Sequence, residues 1–124
     1  KILSNFLLLR YLKKIFYNSV AELRFDKKFN IVSMSKIFLI TYDLKEPGQD
    51  YSDLYEAIKG LGDWQHPLES VWMVKVNDFI VAQNIYDTLR PQIDENDLLF
   101  IVDITDRNRQ GWLSKTVWTW LNKE

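Results

Sequence analysis

The sequence contains no cysteine and a single histidine, His66. Without cysteine the chain cannot form a disulfide, a thiolate zinc site or a cysteine nucleophile. One histidine excludes metal sites that need several imidazoles from the same chain. No apolar run approaches the roughly 18 to 20 residues of a membrane helix, and no secretory signal pattern is visible. We therefore expect a cytoplasmic protein that does not enter a membrane.

Charge is distributed unevenly along the chain. Residues 1–33 carry seven basic and two acidic side chains, a balance of +5, whereas residues 34–124 carry nine basic and fifteen acidic ones, a balance of −6. An acidic domain repels phosphate backbones at long range unless its basic groups cluster. The composition of residues 34–124 therefore weighs against tight nucleic-acid binding.

We interpret residues 1–33 as an N-terminal extension and residues 34–124 as the folded domain. A helical pattern in the extension is formed by its apolar residues, Ile2, Phe6, Leu9, Tyr11, Leu12, Ile15 and Phe16. One interpretation is a basic amphipathic helix that contacts a membrane surface or a partner. The alternative is an upstream segment with no evolved role, because Met34 resembles a natural start of the chain.

Hydrophobic periodicity predicts the elements of the domain. Runs of β-branched and aromatic residues predict strands over 36–42, 64–68, 70–76 and 98–104. A helical stripe is formed by Tyr51, Leu54, Tyr55, Ile58 and Leu61. A second one, with a cap at Asn77 or Asp78, is formed by Ala82, Ile85, Tyr86 and Leu89. Apolar residues beyond Gly111 predict a short terminal helix.

The order of these elements predicts an α+β domain of the ferredoxin-like βαββαβ kind. We expect a four-stranded antiparallel sheet with two helices on one face, plus a C-terminal helical tail and the N-terminal helical extension. The first and third strands should lie centrally. The first and last strands are apolar on both faces, so the second face of the sheet also needs a cover. A second copy of the chain is the simplest candidate, and the aromatic tail and the extension are the others.

Several segments resemble one family of small proteins. They are Tyr42-Asp43-Leu44, Pro47-Gly48-Gln49-Asp50-Tyr51, Leu61-Gly62, Ser70-Val71-Trp72 and Asp97-Leu98-Leu99. The pattern resembles the SinR-like proteins, within the wider superfamily of CRISPR-associated protein two and the VapD-type toxin ribonucleases. The resemblance extends from Ser35 to about Leu121. It implies a ferredoxin-like homodimer that acts in antiviral defence or regulation.

The resemblance also implies a role for Asp43. Nuclease members of that superfamily keep an Asp at the end of the first strand, and two such side chains share a divalent metal across the dimer interface. Asp43 stands at that position, which makes it a candidate catalytic residue and a candidate ligand of Mg²⁺ or Mn²⁺. The metal would activate water against a phosphodiester. The alternative is a strand-end aspartate that accepts hydrogen bonds from the loop amides.

The surroundings of Asp43 differ from those of the nucleases, which commonly place basic residues after this Asp and on the first helix. Here Lys45 lies beside Glu46, and the first helix carries more acidic than basic residues. Two functions therefore remain open. One is a non-catalytic dimeric module that binds a protein or a small ligand. The other is a metal-dependent endonuclease that acts on RNA or DNA through Asp43 of each subunit.

Other candidate residues have competing interpretations. His66 could serve as a general base, but no second histidine or nucleophile lies beside it, which favours a structural role. The five tryptophans could stack on bases, but an acidic domain favours packing in the core and the dimer interface. Arg107 and Arg109 could bind a phosphate, or they could pair with neighbouring acidic groups.

Overall fold

A computed structural model describes residues 35–123 of the chain. The strands are β1 (Ser35–Asp43), β2 (Asp63–Leu68), β3 (Val71–Asn77) and β4 (Leu98–Asp103). The helices are α1 (Ser52–Lys59), α2 (Ala82–Leu89) and α3 (Lys115–Asn122), and a 3₁₀ turn at Arg90–Gln92 follows α2. The predicted extension over residues 1–33 lies outside the described residues. None of the described helices is long and apolar enough to cross a membrane.

The four strands form one antiparallel sheet in the order β2-β3-β1-β4. β1 and β3 are central, as the order of the elements predicts, and these two strands carry most of the buried strand residues. Tyr42 pairs with Leu99 and Asp43 pairs with Leu98, which fixes the register of β4 at the end of β1. The architecture is α+β and is compatible with a ferredoxin-like fold.

The first face of the sheet carries the main hydrophobic core. Phe38, Ile40 and Tyr42 alternate along β1 and point to this face, because successive strand residues point to opposite sides. They pack against the buried stripes of α1 and α2, which are Leu54, Ile58, Ile85 and Leu89. Burial of these side chains is the dominant source of stability for a domain of this size.

The second face is covered in part by α3. Val117, Trp120 and Leu121 pack against Ile37 and Met73 of the central strands. The C-terminal tail is therefore one of the covers of this face. It does not reach the outer end of β4, where Leu98 is 59% exposed and Phe100 is 62% exposed. Both lie on the second face beside Thr41, their neighbour in the β1–β4 ladder, and we call Thr41, Leu98 and Phe100 the open patch.

Two predicted details of the helices are wrong. The residue before α2 is Val81, not Asn77 or Asp78, and the Asn84 side chain accepts a hydrogen bond from the Val81 amide at 2.8 Å. Tyr86 was expected in the buried stripe but is exposed, because α2 has only eight residues and its core-facing side is filled by Ile85 and Leu89.

Candidate functional site at the end of the first strand

Asp43 is the last residue of β1, and its side chain is 61% exposed. Its Oδ2 atom accepts a hydrogen bond from Lys45 Nζ in an ion pair. Within the described residues, none of the backbone amides of the following loop donates to it. Residues i and i+2 of an extended segment share a side, which is why Lys45 reaches it. The carboxylate therefore lies at the surface, paired with one exposed ammonium group.

The buried carboxylate of this region belongs to Asp97, which is 6% exposed. Its Oδ1 atom accepts from the Lys45 amide at 2.8 Å and from the Tyr51 hydroxyl at 3.2 Å. Its Oδ2 atom accepts from the Asp94 amide at 2.9 Å. Burial raises the pKa of Asp97, but these hydrogen bonds outweigh it and hold the pKa below its usual value. Asp97 thus fastens the loop after Asp43 to the start of β4.

The loop from residue 44 to residue 50 is a compact turn. The Gln49 amide donates to the Glu46 carbonyl at 3.3 Å, and Gly48 has a φ of 82°, a conformation that favours glycine. The Asn96 side chain donates to the Glu46 carboxylate at 3.2 Å. The loop is therefore tied to the turn before β4 twice, through Asp97 and through Asn96, and it presents acidic side chains to solvent.

Asp43 does not belong to a metal-binding cluster within the part of the chain that the structure describes. Among residues 35–123, no three His, Asp or Glu side chains lie close enough together to hold a metal ion. Asp43 does lie on the second face of the sheet, because its neighbour Tyr42 points into the core of the first face. The carboxylate of Asp43 is therefore on the same face of the sheet as the open patch.

His66 is engaged in packing. Its ring stacks on Trp72 at a centroid distance of 3.8 Å with an interplanar angle of 11°. Its Nε2 atom lies 2.9 Å from the Glu69 carbonyl oxygen, across the turn that joins β2 and β3. Both contacts favour the structural interpretation of this residue. The hydrogen-bond partner of the ring is a backbone carbonyl and not a nucleophilic side chain.

The tryptophans divide between core and surface. Trp72 is buried on the first face, where Trp64 and Tyr55 also pack against it, and Trp120 is buried under α3. Trp112 is fully exposed in the segment before α3. Packing therefore accounts for Trp72 and Trp120, and the prediction of a packing role does not extend to Trp112.

Arg109 has a role that neither sequence interpretation includes. Its guanidinium donates to the Ile104 carbonyl at 3.4 Å and to the Leu121 carbonyl at 3.2 Å. Carbonyl groups in the last turn of a helix lack partners within the helix, and basic side chains satisfy them. Arg109 therefore helps to hold α3, while Arg107 is exposed.

Comparison of the chain with protein-family models, with curated proteins and with solved structures finds no match.

Proposed function

We propose that the protein is a homodimeric, ferredoxin-like binding module that pairs through the open patch on the second face of its sheet. The observation that carries this proposal is the exposure of Leu98 and Phe100 on a face that α3 covers only in part. Adjacent apolar side chains on a strand surface are typical of interaction sites. The resemblance to SinR-like proteins independently implies a homodimer.

The electrostatics support a protein partner for this module rather than a nucleic acid. Residues 34–124 have a balance of −6, and the loop beside Asp43 adds Glu46 and Asp50 to the acidic surface. The ammonium group of Lys45 is already paired with Asp43. A phosphate backbone approaching this end of the sheet would be repelled at long range. The resemblance implies a role in defence or regulation, and the module would perform that role by binding a protein partner.

Sedimentation velocity of the full chain at micromolar concentration tests the pairing. We expect the wild type to sediment as a dimer and Phe100→Asp to sediment as a monomer, because a buried unpaired carboxylate at the interface costs several kcal/mol. Phe79→Asp is the matched control, since Phe79 is 74% exposed in the loop before α2 and outside the open patch. A monomeric wild type, or a dimer that survives Phe100→Asp, would contradict the proposal.

The second candidate function is a metal-dependent endonuclease, and the position of Asp43 favours it. Its exposed carboxylate lies on the same face as the open patch and next to Leu98 in the ladder. Pairing through that patch would place two such carboxylates near the two-fold axis. Paired carboxylates suit Mg²⁺ or Mn²⁺, which would activate water against RNA or DNA.

Cleavage of RNA and DNA by the wild type and by Asp43→Ala, with Mg²⁺ or Mn²⁺ added, tests the second candidate. If the nuclease interpretation holds, activity should fall by about a hundredfold or more in Asp43→Ala, because the metal loses its ligands. Asp53→Ala, at an exposed position of α1, is the control and should keep wild-type activity. Equal background cleavage by all three proteins would leave only the binding module.

A further inference from the structure

A cleft of about 450 Å³ lies at the end of β1, between α1 and the turn that joins β2 to β3. It is lined by Tyr42, Asp43, Leu44, Tyr55, Glu69 and Ser70. Apart from Asp43, which belongs to the candidate nuclease site, and Leu44, which begins the loop that Asp97 holds, these residues lie outside the sites described above. The cleft is therefore a concave site that neither the pairing surface nor the proposed nuclease chemistry explains.

The aromatic wall of the cleft is held in a fixed arrangement. The Tyr42 hydroxyl accepts from Trp72 Nε1 at 3.0 Å and donates to the Glu69 carbonyl at 3.3 Å. The Tyr55 ring stacks on Trp72 with centroids 5.9 Å apart. Burial raises the pKa of Tyr42 to about 12, so its hydroxyl stays neutral at physiological pH. The wall thus offers uncharged, electron-rich rings, whose faces attract cations.

The rim of the cleft is negative. Glu69 is exposed at this rim, and the carboxylate of Asp43, which lies on the second face and pairs with Lys45, adds negative charge nearby. An anionic ligand would therefore meet two carboxylates against one ammonium group. The tyrosine rings of the cleft and the carboxylate of Glu69 at its rim favour positively charged ligands.

We propose that this cleft binds an organic cation, a guanidinium or alkylammonium group. Its charge faces the carboxylate of Glu69, and its apolar surface lies against the ring of Tyr55. The same group can come from a free amine or from a basic side chain of a partner protein. The inference does not depend on dimerisation, because every lining residue belongs to one chain.

Titration of the full chain with ethylguanidinium tests the binding of the cation. Ethylurea, which has nearly the same shape but no charge, is the matched ligand control. Trp72 lies against Tyr55, so occupancy of the cleft should change the tryptophan fluorescence of the chain, to which all five tryptophans contribute. At constant ionic strength we expect a saturable change with ethylguanidinium and none with ethylurea. Equal responses to the two ligands would overturn the proposal.

Variants of the lining residues locate the binding. We expect Glu69→Gln and Tyr55→Leu each to weaken ethylguanidinium binding by roughly two- to fivefold, the range for a single exposed contact with a cation. Glu95→Gln and Tyr86→Leu change the same residue types at exposed positions outside the cleft and should bind as the wild type does. Unchanged binding in Glu69→Gln, whose exposed side chain has no structural contact to lose, would overturn the proposal even if Tyr55→Leu fails to fold.

Two further ligands distinguish the sources of the cation. Tighter binding of agmatine than of a blocked Ala-Arg-Ala peptide supports a free amine as ligand, and the reverse order supports a basic side chain of a partner. Sedimentation of Glu69→Gln keeps this test separate from the test of pairing. The variant should retain the oligomeric state of the wild type, whatever its affinity for the cation.

Discussion

The two faces of the sheet are covered by different kinds of contact. The first face is closed by two helices whose buried residues, such as Leu54 and Ile85, interlock with β1 and β3. The second face is covered only in part, by the short helix α3, and Leu98 and Phe100 remain exposed on it. The fold therefore concentrates its stability on one face and leaves free surface for interaction on the other.

Polar contacts supplement the smaller apolar area under α3. Lys75 donates to the Trp120 carbonyl at 2.6 Å and to the Lys123 carbonyl at 3.1 Å, and its ammonium lies 4.5 Å from the centre of the Trp120 ring. Trp120 Nε1 donates to Asp63 at 2.8 Å. Burial lowers the pKa of Lys75. Hydrogen bonds to the last carbonyl groups of α3, and one from the Trp120 indole nitrogen, thus add to the apolar packing of this helix. By contrast, α1 and α2 are held mainly by apolar packing.

The largest expected difference between the faces is in the cost of truncating a leucine. Leu54→Ala, at a fully buried position of the first face, should lower the free energy of unfolding by about 3 kcal/mol, because it loses transfer energy and leaves a cavity. Leu98→Ala in the open patch should change it by less than about 0.5 kcal/mol. Urea unfolding at low protein concentration measures both. Similar losses for the two variants would show that the faces are equally important to the fold.

A smaller effect is expected at the helix that covers the second face. Trp120→Phe removes the hydrogen bond to Asp63 and part of the buried ring, and should cost about 1 to 2 kcal/mol. Trp112→Phe makes the same change at a fully exposed residue and should leave the free energy of unfolding unchanged. Hydrogen exchange adds a local readout, since the amides of α3 should lose protection in Trp120→Phe while those of β1 keep theirs. Equal protection of α3 in both variants would contradict a role for this hydrogen bond.

The sequence predicts the sheet well because the information needed is local. The alternation of Phe38, Ile40 and Tyr42 with their neighbours marks β1 as a strand, and the order of the elements predicts its central position. Periodicity also predicts a helical tail rich in tryptophan. It cannot select among the three candidate covers of the second face, because that choice depends on which apolar surfaces meet in space.

Within the candidate site, the sequence identifies Asp43 but not the residue that organises its loop. The position of Asp43 follows from the end of a strand pattern. Asp97 lies in an acidic segment after α2, and the composition of that segment gives no indication that one of its carboxylates is buried. Its donors include the amide of Lys45 and the hydroxyl of Tyr51, which are distant in sequence and meet it only because β4 pairs with β1. The resemblance includes Asp97 in a shared segment but assigns it no role.

Titration of Tyr42 tests the closure of the first face by a change of pH. Burial is the main reason that the pKa of Tyr42 rises to about 12 in the folded protein, against 10.0 for an unperturbed tyrosine. Between these two values the unfolded chain loses the phenolic proton while the folded chain retains it. The free energy of unfolding should therefore fall as the pH rises from about 10 to about 12. Below pH 10 the ionisation of Tyr42 should not change the free energy of unfolding.

Tyr42→Phe isolates that contribution, and urea unfolding from pH 9 to pH 12 measures it. The variant should be less stable than the wild type at pH 9, since the Trp72 indole and the Glu69 carbonyl lose a hydrogen-bond partner, but its stability should fall less steeply at higher pH. Tyr86→Phe, on the exposed side of α2, is the matched control for the loss of a tyrosine hydroxyl. If Tyr42→Phe and Tyr86→Phe show the same slope, Tyr42 ionises as readily in the folded chain as in the unfolded one. The first face would then be open to solvent at the end of β1, and the contrast between the two faces would be confined to the part of the sheet beneath α1 and α2.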